Sequence, residues 1–391
     1  MLAREQSLHQ EIAERILARN APTRQFFATQ AVALAHACAK MSEHFLHGGR
    51  LMTAGKGPYA TDAMHVSVEF IHPVLVGKRA LPAIDISLAP EAWISALATP
   101  DDMIAVFDAP QPSAESGAII DLAKQRGAMT LALPGCIGDY AVPAASEDEH
   151  IHQEIFELLG HCMYESVHVF LEHEGRPAAQ PATQADFLYP FLTAASSSAT
   201  LTQDVARSIN AKVEIAVGLR EVLARTQPPK VAQAADAIAR RLRQGARILA
   251  FGNGGSATDA TDFVLDCVMP VRDCPAIPAI SLALEPAVIT ATANDVGSDL
   301  IFQRQLIAQS KPVDVALAFS TSGGSRNVVT ALEEAHKRGL LTIAILGYDG
   351  GEILKRGLAD YAIVVDCDDI PRIQEAQGTI YHVLREIIPR C

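Results

Sequence analysis

Short apolar runs alternate with helical patterns along most of the chain. In the second half the runs are six residues each and show little polar alternation: RILAFG, AISLAL, VALAFS, LTIAIL and YAIVVD. Flat hydrophobicity of this kind is typical of strands that are buried on both faces of a parallel sheet. The helical segments between them, such as the one that ends at Gly339, supply the crossovers. The pattern predicts an α/β fold with a doubly wound parallel sheet in each half, and ligands at the carboxyl ends of its strands.

Long helical patterns flank the predicted sheets. They cover residues 25–46 and 208–244 before the two sheets, and residues 151–171 and 371–388 after them. Helices of this length are available for bundle-like packing between copies of a protein. We therefore expect a homo-oligomer that forms through helix packing.

Three segments of the first half reappear in the same order in the second half. The matched pairs begin at Gly48 and Gln244, at Asp102 and Asp314, and at Ile151 and Arg372. Self-similarity of this kind indicates one domain plan that is repeated. A polar, Pro- and Ala-rich stretch between the copies suits an exposed linker. The sequence predicts domains at residues 1–173 and 187–391, joined by a linker at residues 174–186.

Length and composition agree with two packed domains and narrow the range of partners. The chain has 391 residues, of which 49% are hydrophobic and 20% are charged, so there is ample material for two cores. With 32 basic and 45 acidic residues, the formal net charge is −13. Such a charge repels a nucleic-acid backbone, and we expect no nucleic-acid partner.

The cysteines, the apolar runs and the N-terminal residues indicate the cellular compartment of the protein. The seven cysteines show no C-x-x-C pair and no zinc-finger spacing, which favours reduced thiols, most of them packed as small hydrophobic side chains. No uninterrupted apolar span of about 20 residues occurs, and the N-terminus mixes acids with bases, unlike a signal or transit peptide. We expect a cytoplasmic protein with no membrane partner.

A loop rich in hydroxyl groups follows one of the buried strands. Its sequence is Ser320-Thr321-Ser322-Gly323-Gly324-Ser325, and a predicted helix begins near Asn327. Hydroxyls and backbone amides at a helix N-terminus favour an anion, and a phosphate monoester is the expected occupant. An ordinary strand-to-helix turn with a capping serine is the alternative. The loop lacks the Lys of a Walker A motif, so nucleotide hydrolysis is not implied.

Four phrases stand in order in the second half: FGNGGSATDA, TANDVGSDLIFQRQL, AFSTSGGSRNVV and PRIQEAQGTIYHVL. They resemble the successive motifs of the phosphoheptose isomerases, members of the sugar isomerase (SIS) domain superfamily, and the resemblance covers residues 188–388. The first half resembles the same family more faintly, through AGKGPYATDAMHVSVEF and IHQEIFELLGHC. The resemblance implies a tandem of two SIS domains with five-stranded parallel sheets, of which the first is degenerate.

This resemblance implies an aldose–ketose isomerase, an intramolecular oxidoreductase, that acts on an open-chain sugar phosphate such as sedoheptulose 7-phosphate. The reaction moves a proton between adjacent carbons through an enediol, and it needs a base, an acid and a phosphate anchor. The substrate contacts that the resemblance implies all match the family pattern: Asn253, Gly254, Gly255, Ser256, Asn294, Asp295, Ser320, Thr321, Ser322, Ser325 and Gln374.

The catalytic and zinc-binding positions that the resemblance implies are divided unequally. In the first half they are a complete match: His65, Glu69, Gln153 and His161. In the second half the His is lost and the Glu is shortened by one methylene: Asp262, Asp266, Gln374 and His382. We take the first set as candidate metal ligands, and Glu69, His161, Asp266 and His382 as candidate catalytic residues. The sequence itself requires no cofactor, and zinc is implied by the resemblance alone.

Three interpretations stay open. The halves could divide one site, with phosphate held by the second half and His65, Glu69 or His161 acting on the sugar. Alternatively, the first half is a scaffold, and Asp266 is the base and His382 the acid. The shorter carboxylate is displaced by about 1.5 Å, which can cost about 100-fold in rate, so an unaided second half would be a poor isomerase. The third interpretation is a non-catalytic SIS protein that binds a sugar phosphate or a protein partner in regulation. If the protein is an enzyme, the sequence does not distinguish sedoheptulose 7-phosphate from another ketose phosphate or an amino-sugar phosphate as its substrate.

Overall fold

The computed structural model describes residues 2–73, 78–175, 198–271 and 274–391. By compactness it divides into an N-terminal unit, Ala21–Ile215, and a C-terminal unit, Met1–Asn20 together with Ala216–Cys391. The first helix of the chain thus belongs to the C-terminal unit. The predicted domain boundaries rest on motif positions rather than on compactness, and they stay a prediction. Of the predicted linker, residues 176–186 lie outside the described part of the chain.

The N-terminal unit contains a five-stranded parallel sheet with strand order β2-β1-β3-β4-β5. Its strands are β1 (Leu51–Gly55), β2 (Ala83–Asp85), β3 (Met103–Phe107), β4 (Met129–Leu133) and β5 (Tyr140–Ala141). Its helices are α2 (Asn20–Leu46), α3 (Tyr59–Ile71), α4 (Pro90–Leu97), α5 (Ala114–Gln125), α6 (Glu149–Gly175) and the part of α7 (Ser198–Thr226) up to residue 215.

The C-terminal unit contains a second five-stranded parallel sheet, with strand order β7-β6-β8-β9-β10. Its strands are β6 (Ile248–Phe251), β7 (Ala279–Ser281), β8 (Val315–Ser320), β9 (Leu341–Gly347) and β10 (Tyr361–Val365). Its helices, besides the rest of α7, are α1 (Leu2–Ala18), α8 (Pro228–Leu242), α9 (Gly255–Val268), α10 (Pro286–Asp295), α11 (Ile301–Gln309), α12 (Arg326–Lys337), α13 (Gly351–Lys355) and α14 (Ile370–Ile387), with 3-10 turns at Ser298–Leu300 and Ile388–Arg390. Two five-stranded parallel sheets confirm the predicted α/β fold.

Strand β6 shows why the sequence of these strands is uniformly apolar. Ile248 and Ala250 pack into a core on one side of the sheet, which also contains Ile380 of α14. Leu249 and Phe251 pack into the core on the other side. Since successive side chains of a strand point to opposite faces, all four residues are buried.

The long helical pattern at residues 208–244 forms two helices rather than one. Helix α7 ends at Thr226, and α8 begins at Pro228 after Gln227. Proline lacks an N–H group and clashes with the preceding helical turn, so Pro228 and Pro229 are compatible with the first turn of α8 but not with a helix interior.

Three of the seven cysteines, Cys38, Cys162 and Cys267, are buried, and none of the seven, which all lie in the described part of the chain, takes part in a disulfide. Burial raises the pKa of the Cys267 thiol, which agrees with its prediction as a small core side chain.

None of the described helices combines the length and the apolar character that crossing a bilayer requires.

Candidate functional site

The carboxyl end of β8 continues into the hydroxyl-rich loop, residues 320–325, which leads into α12. Ser320 is buried, and its Oγ accepts a hydrogen bond from the Gly323 N–H at 3.0 Å. Ser322 Oγ accepts one from the Gly324 N–H at 3.2 Å. Ser322 and Gly324 are exposed, so the outer edge of the loop faces solvent. The loop is therefore folded by its own hydroxyls and remains accessible to a ligand.

Ser325 occupies the N-cap position of α12, a helix of 12 residues. Within the described structure, its side chain accepts no capping hydrogen bond from that helix. The first amides of a helix lack intrahelical partners and carry the positive end of its dipole. The structure thus leaves a hydroxyl and several amide donors available at the place where the sequence predicts a phosphate.

Two glycine positions fix the shape of this loop. Gly323 has φ of +61°, and a Cβ added there would lie 2.2 Å from the Gly350 carbonyl oxygen. A Cβ added at Gly351 would lie 2.2 Å from the Ser322 carbonyl oxygen. The loop therefore packs backbone against backbone on the turn before α13, where only glycine fits. This packing restricts the conformations that the loop can adopt.

The Gly-rich turn after β6 lies against the same loop. A Cβ added at Gly252 would lie 2.9 Å from the Phe319 carbonyl oxygen of β8 and 2.3 Å from that of Ser256. Asn253 and Asn327 exchange two amide hydrogen bonds, at 2.8 and 2.9 Å. This pair joins the turn, which includes Gly254, Gly255 and the buried Ser256, to the first turn of α12. The sequence predicted Asn253 but not Asn327, whose signal was its position two residues after Ser325.

Asn294 and Asp295 form the end of α10, where both side chains are exposed and Asn294 Nδ2 donates to Asp295 Oδ1 at 2.8 Å. The following 3-10 turn contains Asp299, whose Oδ2 lies 3.2 Å from Arg326 Nε at the start of α12. The segment that carries the predicted Asn-Asp pair is therefore tied to the helix that follows the loop.

Gln374 lies in the first turns of α14 and is 2% exposed. A Cβ added at Gly347 would lie 2.5 Å from both the Thr321 carbonyl oxygen and Ile373 Cγ2, so the loop, the end of β9 and the start of α14 meet there. Among the described residues, Gln374 Oε1 is buried and accepts no hydrogen bond. An acceptor in this position can receive a sugar hydroxyl, since a buried acceptor without a partner is unfavourable.

A buried acidic cluster stands between α9 and α14 in the C-terminal unit. His382 Nε2 lies 3.4 Å from Asp262 Oδ2 and 3.3 Å from Asp266 Oδ2. The Tyr381 hydroxyl donates to Asp262 Oδ2 at 2.7 Å, and Arg385 Nε donates to the Asp266 carbonyl oxygen at 3.0 Å. The structure thus brings together the predicted pair Asp266 and His382, and it adds Tyr381, which the sequence did not single out.

A histidine cluster lies between α3 and α6 in the N-terminal unit. His65 Nε2 is 3.1 Å from His161 Nε2, and Glu69 Oε1 is 4.0 Å from His65 Nε2. All three side chains are buried. Burial, with a further contribution from the nearby Glu165 carboxylate, raises the pKa of Glu69 to about 8. Glu69 therefore holds a proton at neutral pH when no cation is bound.

The donor set of this cluster fits a zinc ion. Two imidazole nitrogens and a carboxylate are ligands that zinc prefers, and tetrahedral bonds of about 2.1 Å place two nitrogens about 3.4 Å apart, close to their separation here. Within the described residues, Glu69 Oε2 is buried and accepts no hydrogen bond, so a cation would supply its partner. Gln153, the fourth candidate ligand, donates from Nε2 to Thr61 Oγ1 and to the Pro58 carbonyl oxygen, both at 3.3 Å.

Comparison with known proteins places these features in a family. A family model described as SIS domain matches residues 213–347. The phosphoheptose isomerase of Pelobacter propionicus is 41% identical over 174 residues, which are 44% of this chain and 91% of that protein. The phosphoheptose isomerase of Thermodesulfovibrio yellowstonii is 39% identical over 186 residues, which are 47% of this chain and 92% of that protein.

Several solved structures resemble nearly the whole chain, and one of them serves as an example. It is the C-terminal domain of glucosamine-fructose-6-phosphate aminotransferase from Francisella tularensis. The aligned part covers 96% of this chain and 96% of that structure's chain, with a TM-score of 0.58. At 9% identity, this likeness supports the fold alone. The sequence matches to whole isomerases go further, and on their strength the chain belongs to the phosphoheptose isomerase family of SIS-domain proteins, with its C-terminal half as the matching part.

Proposed function

We propose that the protein is a sugar-phosphate aldose–ketose isomerase whose C-terminal unit holds the phosphate group in the loop at residues 320–325. The observation that carries this proposal is the state of Ser325, which stands at the N-cap of α12 without capping it in the described structure. Hydroxyls and amides therefore face a position that suits an anion. The relatives' name, phosphoheptose isomerase, supports a heptose phosphate as the substrate, and the resemblance implies that this is sedoheptulose 7-phosphate.

Asp266 and His382 are the proposed base and acid. Both are 1% exposed, and their closest atoms, Asp266 Oδ2 and His382 Nε2, are 3.3 Å apart. Asp262 lies beside the same nitrogen, and its own position is fixed by the Tyr381 hydroxyl. In the proposal, Asp266 takes the carbon-bound proton, while His382 delivers a proton from Nε2 to the carbonyl oxygen of the sugar, which gives the enediol. Asp266 then returns its proton to the adjacent carbon, and His382 Nε2 takes back the proton of the other enediol hydroxyl as the new carbonyl group forms, so both residues end in their starting states.

His65, Glu69 and His161 are the proposed zinc ligands of the N-terminal unit. A bound zinc ion would supply Lewis-acid polarisation of an oxygen. The pKa of Glu69, about 8, implies that this residue releases its proton when a cation binds. Elemental analysis of the purified protein, with and without His161→Ala, tests this assignment directly.

The test of the proposed function is conversion of sedoheptulose 7-phosphate, followed by NMR spectroscopy. Ser322→Ala should raise KM by about tenfold or more, since it removes a hydroxyl from the outer edge of the loop. Asp266→Asn and His382→Gln should lower kcat by about 100-fold or more with a smaller effect on KM. Thr330→Ala is the matched control, because the Thr330 hydroxyl lies on α12 and donates to the Arg326 carbonyl oxygen rather than to the loop.

The outcomes separate the three interpretations of the sequence. Tight binding of the sugar phosphate without turnover, in protein saturated with zinc, would contradict the enzymatic proposal and favour a regulatory binding protein. Unchanged turnover in Glu69→Gln and His161→Ala would restrict the reaction to the residues of the C-terminal unit.

A further inference from the structure

The two units carry equivalent loops with different chemistry. Counted from Phe107 in β3 and Phe319 in β8, each loop runs six residues to a serine at the N-cap of a 12-residue helix. In the N-terminal loop, Asp108 stands at the position of Ser320. Pro110 and Pro112 stand at the positions of Ser322 and Gly324. Proline has no N–H group, so this loop has two fewer amide donors than its counterpart.

Three of the remaining donors of the N-terminal loop point to the Asp108 carboxylate. Asp108 Oδ1 accepts from the Ala109 N–H at 2.8 Å, and Oδ2 accepts from the Ser113 N–H at 2.6 Å. The Ser113 hydroxyl donates to the same Oδ2 at 2.9 Å. A carboxylate of the chain thus receives the kind of hydrogen bonds that a phosphate oxygen would receive.

The Asp108 carboxylate is ionised, and the residue is held in place by hydrogen bonds. Burial alone would raise the pKa of Asp108, but hydrogen bonds from Ser116, Ser113 and Ala109 outweigh burial and hold it below its usual value. His152 accepts from the Ala145 N–H at Nδ1 and donates from Nε2 to the Asp108 carbonyl oxygen, at 3.2 and 3.1 Å. The backbone of Asp108 is therefore anchored as well as its carboxylate.

The N-cap serines of the two helices are used differently. Ser113 caps α5 by accepting from the Ser116 N–H at 3.2 Å, whereas Ser325 makes no such bond in the described structure. Lys56 and Ser87 are among the residues that line the adjacent cavity of about 240 Å³. Lys56 forms an ion pair with Glu115, and the Ser87 hydroxyl donates to Asp85 Oδ1 at 2.5 Å. Polar groups around the N-terminal loop are thus committed to partners within the unit.

We propose that the Asp108 carboxylate is a built-in substitute for a phosphate group, which closes the N-terminal loop to phosphate monoesters. The chain then binds one sugar phosphate per copy, at residues 320–325 of the C-terminal unit. This second statement rests on the proposed function, whereas the role of Asp108 does not.

The first experiment introduces an equivalent carboxylate into the loop at residues 320–325, in the full chain. Ser320→Asp should weaken binding of inorganic phosphate and of sedoheptulose 7-phosphate by at least about tenfold in calorimetry, because a carboxylate would take the loop amides and repel the ligand. Gln233→Glu is the control, since it adds the same charge on the exposed face of α8 and should leave the affinity unchanged. Unchanged affinity in Ser320→Asp would overturn the proposal, and so would two phosphate sites per wild-type chain.

The second experiment does not depend on the C-terminal loop. The Asp108 carboxyl carbon is assigned in the full chain by its absence in Asp108→Asn, and then titrated by ¹³C NMR. We expect a pKa below that of ordinary aspartates, with the amide protons of Ala109 and Ser113 shifting in the same titration. An ordinary pKa without coupled amide shifts would contradict the proposal. Wild-type protein that binds no phosphate at all would instead contradict the proposed function, and this titration would still decide the role of Asp108.

Discussion

Two buried carboxyl groups of the N-terminal unit show how single residues acquire different chemistry in one fold. Burial, with a further contribution from the Glu165 carboxylate, raises the pKa of Glu69 to about 8, and no hydrogen-bond donor in the described part of the chain compensates for the loss of water. Burial acts in the same direction on Asp108, yet hydrogen bonds from its own loop lower its pKa. The difference lies in the number of donors rather than in the residue type. One group is therefore suited to release a proton when a cation binds, and the other is a permanent anion.

Glu69 should make the metal-free chain less stable as pH rises. Its pKa is about 8 in the folded state against a model value of 4.5, so the folded chain binds one more proton than the unfolded chain between these limits. Stability then falls by up to about 1.4 kcal/mol per pH unit through this group. We expect Glu69→Gln to reduce this slope between pH 6.5 and 8 in urea unfolding with EDTA present.

Between pH 6.5 and 8, the contribution of Glu69 to stability can be measured separately from that of His152. The pKa of His152 is about 4 because of burial, against a model value of 6.5, so its contribution to stability is lost only as pH falls below about 6.5. Glu221→Gln, at an exposed position of α7, serves as the control and should keep the wild-type slope. Equal slopes in Glu69→Gln and wild type would show that Glu69 does not titrate as stated.

At the scale of elements, the boundaries that sequence predicted well are those with a local cause. The strands of the C-terminal unit have apolar residues on both faces, and Gly339, with φ of +79°, follows the end of α12. The break between α7 and α8 is an exception, since it was missed although Pro228 and Pro229 are a local signal for it. The role of Asp108 was also missed, since it depends on where the amides of Ala109 and Ser113 point.

Replacement of the N-cap serine by alanine should lower stability in one loop and phosphate affinity in the other. Ser113→Ala removes a cap of α5 and a donor to Asp108, so it should cost about 1 kcal/mol or more of stability and leave phosphate affinity unchanged. Ser325→Ala removes no capping bond in the described structure, so it should cost less than about 0.5 kcal/mol but weaken phosphate binding. Urea unfolding and calorimetry on both variants check this, and the reverse pattern would contradict the assignment of the two loops.

The glycine at the centre of the hydroxyl-rich loop allows a similar matched test. Gly323→Ala places a side chain at a positive φ and against the Gly350 carbonyl oxygen, so we expect both a loss of stability of about 1–3 kcal/mol and weaker phosphate binding. Gly357→Ala is the control, because Gly357 has φ of +63° but nothing within 4 Å of an added Cβ. The Gly357→Ala variant should be less stable than wild type but should bind phosphate with unchanged affinity.

At the scale of the whole molecule, the repeated strand order follows from the repeated sequence pattern, whereas the division of chemistry does not. Motif positions identified His65, Glu69 and His161, and the structure brings all three together. The same positions identified Asp266 and His382, which also converge. The pattern could not predict that α1 belongs to the C-terminal unit, because this depends on contacts that are distant in sequence. Examples are the ion pair of Arg15 with Glu386 and the burial of Ile12 and Ile16 in the core that also contains Ile380.

The net charge of the chain makes a prediction that involves every ionised group at once. A charge of −13 opposes the approach of a sugar phosphate, while the donors of the loop itself, its hydroxyls and amides, are neutral. Salt shortens the Debye length from about 30 Å at 0.01 M to about 8 Å at 0.15 M, which screens this distant repulsion more than the short contacts. Binding of sedoheptulose 7-phosphate should therefore tighten by a few-fold over this range of NaCl concentration, measured by calorimetry. Unphosphorylated sedoheptulose is the control and should show no such change. A site dominated by cationic side chains would behave oppositely, so weaker binding with added salt would assign the phosphate affinity to a residue such as Arg326 rather than to the neutral donors.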